Sequence, residues 1–281
     1  MHDKIYKLLI FLFLFLLSSC SKVIVDDNEE QKIDGDDEFD YSEWYLVWED
    51  DFNRDDIFST GDWEKIKRVS PTPEWMTNIS DYEDCFDITD GKVILRGLNN
   101  KYLSEDTAKF LTGGIWTKGS RSFRKGLIEV RAKFQAARSA WPAIWLLPVE
   151  GGWPEAGEID IMERLHYDKF VIQTVHSHYI DNLGINNPSY QSKVLFNPET
   201  YNTFSVELGP DSLKFYVNNK PTLSYPRLDD EFAIKNKQYP FDRDFYLIID
   251  MQLGASWMTP VNPHELPIEM EVDWVRFYQK R

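Results

Sequence analysis

Gly157-Glu-Ile-Asp-Ile-Met-Glu163 sets three carboxylates in an otherwise apolar run. Side chains of a regular strand alternate between faces, so Glu158 and Asp160 share one face while Ile159 and Ile161 take the other. Glu163 stands five residues from Glu158, and strict alternation would turn it into the core. The adjacent apolar pair Ile161-Met162 suggests the remedy. A β-bulge there absorbs one residue and returns Glu163 to the carboxylate face. All three acids then line one concave surface.

Outward from this segment the chain reads as β. Ile128, Val130, Ala132 and Phe134 alternate with Glu129, Arg131 and Lys133, and Phe204, Val206 and Leu208 alternate with Ser205 and Glu207. Leu213, Phe215 and Val217 lead into Asn218-Asn219, a tight hairpin turn, and Met270, Val272 and Trp274 form the last such strand. Asp90-Gly91 and Gly209-Pro210 punctuate these runs. No stretch has the pattern of a three-turn amphipathic helix; residues 230–236 suit a short one. Many short strands without β-α alternation predict a single antiparallel sandwich or barrel.

Composition narrows the partners. The 281 residues are 42% apolar and 15% aromatic, enough for one large core. Lys+Arg 31 against Asp+Glu 47 gives a net charge of −16, which argues against a nucleic-acid partner and against an anionic ligand. The two cysteines, Cys20 and Cys85, exclude a disulfide framework and a cysteine zinc site. Cys85 reads as a buried small apolar residue.

The first residues read as a leader. Lys4 and Lys7 precede an uncharged apolar run, Leu8 to Leu17, which suits a signal-peptide core. It ends in Leu17-Ser-Ser-Cys20, which resembles a bacterial lipoprotein box and implies a signal over residues 1–19 and a lipidated Cys20. Nine acids and two lysines over residues 21–40 make a solvated tether. This stretch also resembles the surface-export signal of Bacteroidetes lipoproteins. The folded domain is expected over 41–281, anchored at the outer membrane and facing the cell exterior.

Like charges in a row raise one another's pKa, a cost that a sequence shaped by stability alone avoids. A glycosidase needs the arrangement: one carboxylate attacks the anomeric carbon and another stays protonated to serve the leaving oxygen. A calcium-binding acidic patch and a solvated strand face are the alternatives. The neighbourhood favours sugar chemistry. Trp141-Pro-Ala-Ile-Trp145 precedes the triplet and Trp153-Pro154 lies just before it, and aromatic faces stack on flat apolar partners. At least one of these tryptophans is expected to be packing. His176 and His178 share a strand face with no third His or Cys nearby. His176 is expected to contact substrate or a catalytic carboxylate, and His178 to be structural.

Glu158-Ile-Asp-Ile-Met-Glu163 resembles the bulged active-site signature of glycoside hydrolase family sixteen, in its laminarinase-like branch. The resemblance runs from about Trp48 to Tyr278. It takes in Trp48-Glu-Asp-Asp-Phe-Asn53, Thr112-Gly-Gly-Ile-Trp-Thr-Lys118, Trp141-Pro-Ala-Ile-Trp145 and Asp273-Trp-Val-Arg-Phe-Tyr278. It implies a β-jelly-roll sandwich of two antiparallel sheets with an open concave cleft, and endo-hydrolysis with retention. It further implies Glu158 as nucleophile, Glu163 as acid/base and Asp160 between them, tuning both. Trp141, Trp145, Trp153 and Trp257 become cleft residues. Catalysis needs no cofactor; a structural calcium on the convex side would use Asp51, the Gly91 carbonyl and Asp273. Val175-His-Ser-His-Tyr179 lacks the Trp-Gly pair that many laminarinases carry after this His. The substrate expected is therefore mixed-linkage β-1,3/1,4-glucan, ahead of β-1,3-glucan. The competing readings are an endo-hydrolase of an algal galactan and a non-catalytic glycan-binding lipoprotein. A monomer is expected.

Overall fold

The computed structural model describes residues 39–281, so the leader, Cys20 and most of the acidic tether lie outside the described residues. In chain order the strands are β1 (Trp44–Asp50), β2 (Glu64–Lys65), β3 (Phe86–Ile88), β4 (Val93–Asn99), β5 (Phe110–Thr112), β6 (Gly114–Trp116), β7 (Gly126–Phe134) and β8 (Ala140–Pro148). There follow β9 (Glu158–Glu163), β10 (Phe170–His176), β11 (Gln191–Leu195), β12 (Asn202–Leu208), β13 (Ser212–Val217), β14 (Lys220–Pro226), β15 (Phe245–Leu253) and β16 (Ile268–Lys280). A five-residue helix, α1 (Glu231–Lys235), is capped by Asp230, which accepts from the Ala233 N–H.

The strands form two antiparallel sheets stacked as a jelly-roll sandwich. One has the order β14-β13-β12-β7-β16-β4-β3, with β1 on β16 and β5 on β4. The other, which carries the acidic strand, has the order β11-β10-β9-β8-β15-β6-β2. The core lies between them. Ile128, Val130, Ala132 and Phe134 of β7 meet Ile144 and Leu146 of β8, Ile159 of β9, and Leu247, Ile249 and Met251 of β15 in one buried cluster. Cys85 is buried in that cluster. The Asn218-Asn219 hairpin forms as expected, both residues in the left-handed region.

One position departs from plain alternation and another from the expected exposure. Trp274 does not join Met270 and Val272 in the core, because the pairing of β16 shifts register between Val272 and Trp274. Val275 and Phe277 point inward instead, and Trp274 carries Arg276 on its face, 4.2 Å from the ring centre. Glu129 is on the outer face of β7 yet buried. Tyr41 covers it and donates to its carboxylate at 2.9 Å. Packing thus begins inside the stretch assigned to the tether: Phe39 lies edge-on to Tyr216 at 5.3 Å.

The outer face of β15 is buried as well. A second small cluster, Ile66, Met76, Ile79, Ala143, Trp145, Tyr246 and Ile248, lies there with Trp75 and Trp116 packed against it. The loop between β2 and β3 therefore walls one side of the site.

Candidate active site

The bulge forms where the sequence places it. On β8, Trp145 pairs with Asp160 and Ile144 with Met162, leaving Ile161 without a partner. On β10, Thr174 faces Asp160 and Ile172 faces Glu163, so one residue spans two. Ile161 and Met162 both point into the core, fully buried. Glu158, Asp160 and Glu163 consequently share the outer face. Gln173, buried in the core, donates through Nε2 to the Ile161 carbonyl at 3.1 Å. It thereby satisfies an acceptor that the ladder cannot reach.

Each acid has a distinct environment. Glu163 accepts from the Trp141 indole N–H at 2.7 Å. Burial, then the charge of Asp160, pushes its carboxyl up to about 8 despite that bond. Burial also drives Glu158 well above the ordinary carboxylate range, and Asp160 adds to the effect while His176 opposes it. His176 Nε2 lies 3.2 Å from Asp160, and its Nδ1 lies 2.8 Å from Asp181. Burial would weaken the imidazolium, but its hydrogen bonds to these two carboxylates carry it up to about 11. At neutral pH His176 is a cation shared between Asp160 and Asp181. Asp181 in turn is held by the Ser177 N–H at 2.9 Å.

The tryptophans divide by role. Trp145 is buried in the floor of the cleft, edge-on to Trp75 at 4.8 Å. Trp257 is 57% exposed and lies against Trp141 at 5.1 Å, while Trp153 is 58% exposed and lies 6.1 Å from His176. The cleft beside Trp141 and Trp153 has a volume of ≈ 480 Å³, with Trp145 in its lining; Trp257 stands outside that lining. The lining includes Glu74, Trp75, Trp141, Trp153, the three acids and Gln252, and no Lys or Arg. His178 turns to Glu155, 3.5 Å away, and is not part of the acid cluster.

Sequence reasoning missed Glu74, Trp75, Gln173, Asp181, Asp250 and Gln252. The first two come from the loop wall and the others from neighbouring strands and turns, and no local motif marks them.

The three residues matched to calcium do not assemble a cation site as they stand. Gly91, with φ +68°, lies against the Asp51–Asn53 turn. The Asp51 carboxylate is engaged by the Asn53 side-chain amide (2.7 Å) and backbone N–H (3.2 Å), which hold it below the usual range. Asp273 is ion-paired with Arg131. Calcium takes roughly six to eight oxygens, and here a guanidinium already neutralises one of the ligands it would need.

Residues 82–276 match the family described as Glycosyl hydrolases family 16. The chain belongs to glycoside hydrolase family 16. Among curated relatives of this family 16 chain, a keratan-sulfate endo-1,4-β-galactosidase of Sphingobacterium multivorum is 33% identical over 243 residues, covering 85% of this chain and 56% of that protein. A β-glucanase of Rhodothermus marinus is 28% identical over 251 residues, covering 84% and 85%. The chain thus spans little more than half the length of the first of these and most of the second. Among solved structures, SCLam, a non-specific endo-β-1,3(4)-glucanase, superposes with a TM-score of 0.74 at 25% identity, covering 85% of this chain and 92% of that one.

Proposed function

We propose that this family 16 protein is a retaining endo-β-glucanase, cleaving internal bonds of mixed-linkage β-1,3/1,4-glucan or β-1,3-glucan. The observation that carries this reading is the bulged strand, which turns Glu158, Asp160 and Glu163 onto one face of a tryptophan-lined cleft. Glu158 attacks the anomeric carbon in its ionised form, which the nearby His176 charge favours, as the proton of Glu163 passes to the departing glycosidic oxygen. A covalent glycosyl–Glu158 ester forms and one chain fragment leaves. Glu163, now ionised, takes a proton from water, whose oxygen attacks the same carbon and releases Glu158. A retaining pair needs carboxyl groups about 5–5.5 Å apart, against about 6.5–9.5 Å for inversion. Asp160, held by the His176 cation, stands between them and disfavours ionising both at once.

The sequence Val175-His-Ser-His-Tyr179 motivates mixed-linkage glucan ahead of laminarin. A second reading, endo-hydrolysis of a β-galactoside chain, is favoured by the 33% identity to the keratan-sulfate galactosidase. Within that reading, a cleft lined by carboxylates without Lys or Arg suits unsulfated stretches. The deciding experiment is a reducing-sugar assay on barley β-glucan, lichenan, laminarin, agarose and keratan before and after desulfation. Oligosaccharides from β-glucan support the first reading; turnover of keratan or agarose alone moves the protein to the second. Proton NMR of the first-formed product tests the stereochemistry. An initial α-product from a β-linked chain overturns both glutamate assignments.

The lipoprotein box supports tethering at the outer membrane through Cys20, facing outward toward polysaccharide. The two carboxylates supply the chemistry without a cofactor. Calcium at Asp51, Gly91 and Asp273 would have to share Asp273 with Arg131, which holds one of its two oxygens.

A further inference from the structure

Asp250 lies under the cleft floor, fully buried, with no cation beside it. Its Oδ1 accepts from Gln252 Nε2 at 3.0 Å and more weakly from the Trp145 indole N–H at 3.4 Å. Its Oδ2 has no partner. A lone buried carboxylate is costly, and its surroundings leave room for it on both sides. Gly114 of β6 faces it, where a Cβ would come within 2.8 Å of the Asp250 Cβ, and Ala143 of β8 faces it from the other side. Ala143 pairs in turn with Glu163. Asp250, Ala143 and Glu163 therefore form one row across β15, β8 and β9, all on the cleft face. Two strand spacings separate the acids by about 10 Å, with only a methyl group between.

We propose that Asp250 is a positioning residue for proton transfer: its charge, felt across Ala143, holds the proton on Glu163. This rests on the reading of Glu163 as the acid/base. Two unit charges about 10 Å apart, at an effective dielectric of about 20, move a carboxyl midpoint by about one pH unit. Glu163 also faces Asp160 and Glu158 on its own strand and His176 on β10, and Glu74 lines the same cleft from the loop wall. Around Asp250 the packed elements offer Gly114, Ile66, Ile79, Trp145 and Gln252, none of them a cation. Burial pushes Asp250 up to about 7, so its charge appears in the range where Glu163 must keep its proton. The two titrate as a unit.

Two measurements on the whole protein test this. In Asp250→Asn, which keeps the side-chain shape, the basic limb of the pH profile of kcat/KM should fall by about one pH unit. The Glu163 carboxyl carbon, assigned in 13C NMR by its loss in Glu163→Gln, should show the same fall without any substrate. Should Asp250→Asn fail to fold, the reciprocal effect serves: in Glu163→Gln the Asp250 midpoint falls by about the same amount. A packing role for Asp250 would lower activity and leave both midpoints in place, and that result overturns the proposal. Absence of turnover on every glycan would sink the functional reading, while the carboxyl titrations would still decide the role of Asp250.

Discussion

Glu163 links acidity to stability. Its folded-state pKa of about 8 lies above its ordinary 4.5, so the native state binds the extra proton between those values. The contribution of Glu163 to stability is therefore complete below pH 4.5 and is lost as pH rises through 8, at about 1.4 kcal/mol per unit. His176 acts in the same direction at higher pH. Its contribution is complete below 6.5 and is lost as pH rises through about 11. Glu163→Gln keeps an acceptor for Trp141 and removes the charge. It should melt several degrees above wild type at pH 8.5, with the gap closing at pH 4, while turnover falls by orders of magnitude. Melting curves of the two proteins that run parallel from pH 4 to 8.5 would contradict this. Turnover of Glu163→Ala should recover on aryl glycosides with good leaving groups, which need no proton, and Glu158→Ala should recover on none. The acids and His176 were legible in the sequence because the bulged hexapeptide and the His two residues ahead of His178 are local signals. Asp181 and Asp250 were not, since each acts through a neighbour that only folding supplies.

At the scale of the strand, the bulge decides which way Glu163 points. Deleting Met162 restores plain alternation and leaves all three acids outward. The loss of a fully buried side chain should cost about 2–5 kcal/mol, with partial activity. Deleting Ile161 and Met162 together turns Glu163 into the core and should abolish soluble expression. Equal solubility of the two deletions, checked by gel filtration, would refute the register argument. Gln173→Leu is the subtler test. It leaves the Ile161 carbonyl unpaired in the core, at about 1–3 kcal/mol, and should lower kcat more than it raises KM because Glu163 loses its seating. Unchanged kcat would show that the bulge holds without its clamp. The bulge was readable from two adjacent apolar residues between acids. The one at Asp273 was not, because Met270, Val272 and Trp274 fit plain alternation on paper and only the register with β7 breaks it.

For the whole molecule, the sandwich was legible from alternation, but the wall over β15 was not: Phe245–Leu253 is buried on both faces and carries no period-two signal, and the loop that covers it is irregular. Beyond the fold, Leu17-Ser-Ser-Cys20 predicts a tethered protein. Cys20→Ser should shift it from the membrane fraction to the soluble fraction, as read by fractionation and immunoblot; unchanged partition would sink the anchor. The composition of the cleft has one more consequence. With carboxylates but no Lys or Arg along its lining, it captures a neutral chain by stacking and hydrogen bonds, with no opposite charges to attract across the solvent. Mobile ions then have nothing to screen, since screening weakens only charge–charge attraction, over a Debye length of about 10 Å at 0.1 M. Capture by such a surface should be indifferent to salinity, working alike in dilute fluid and in brine.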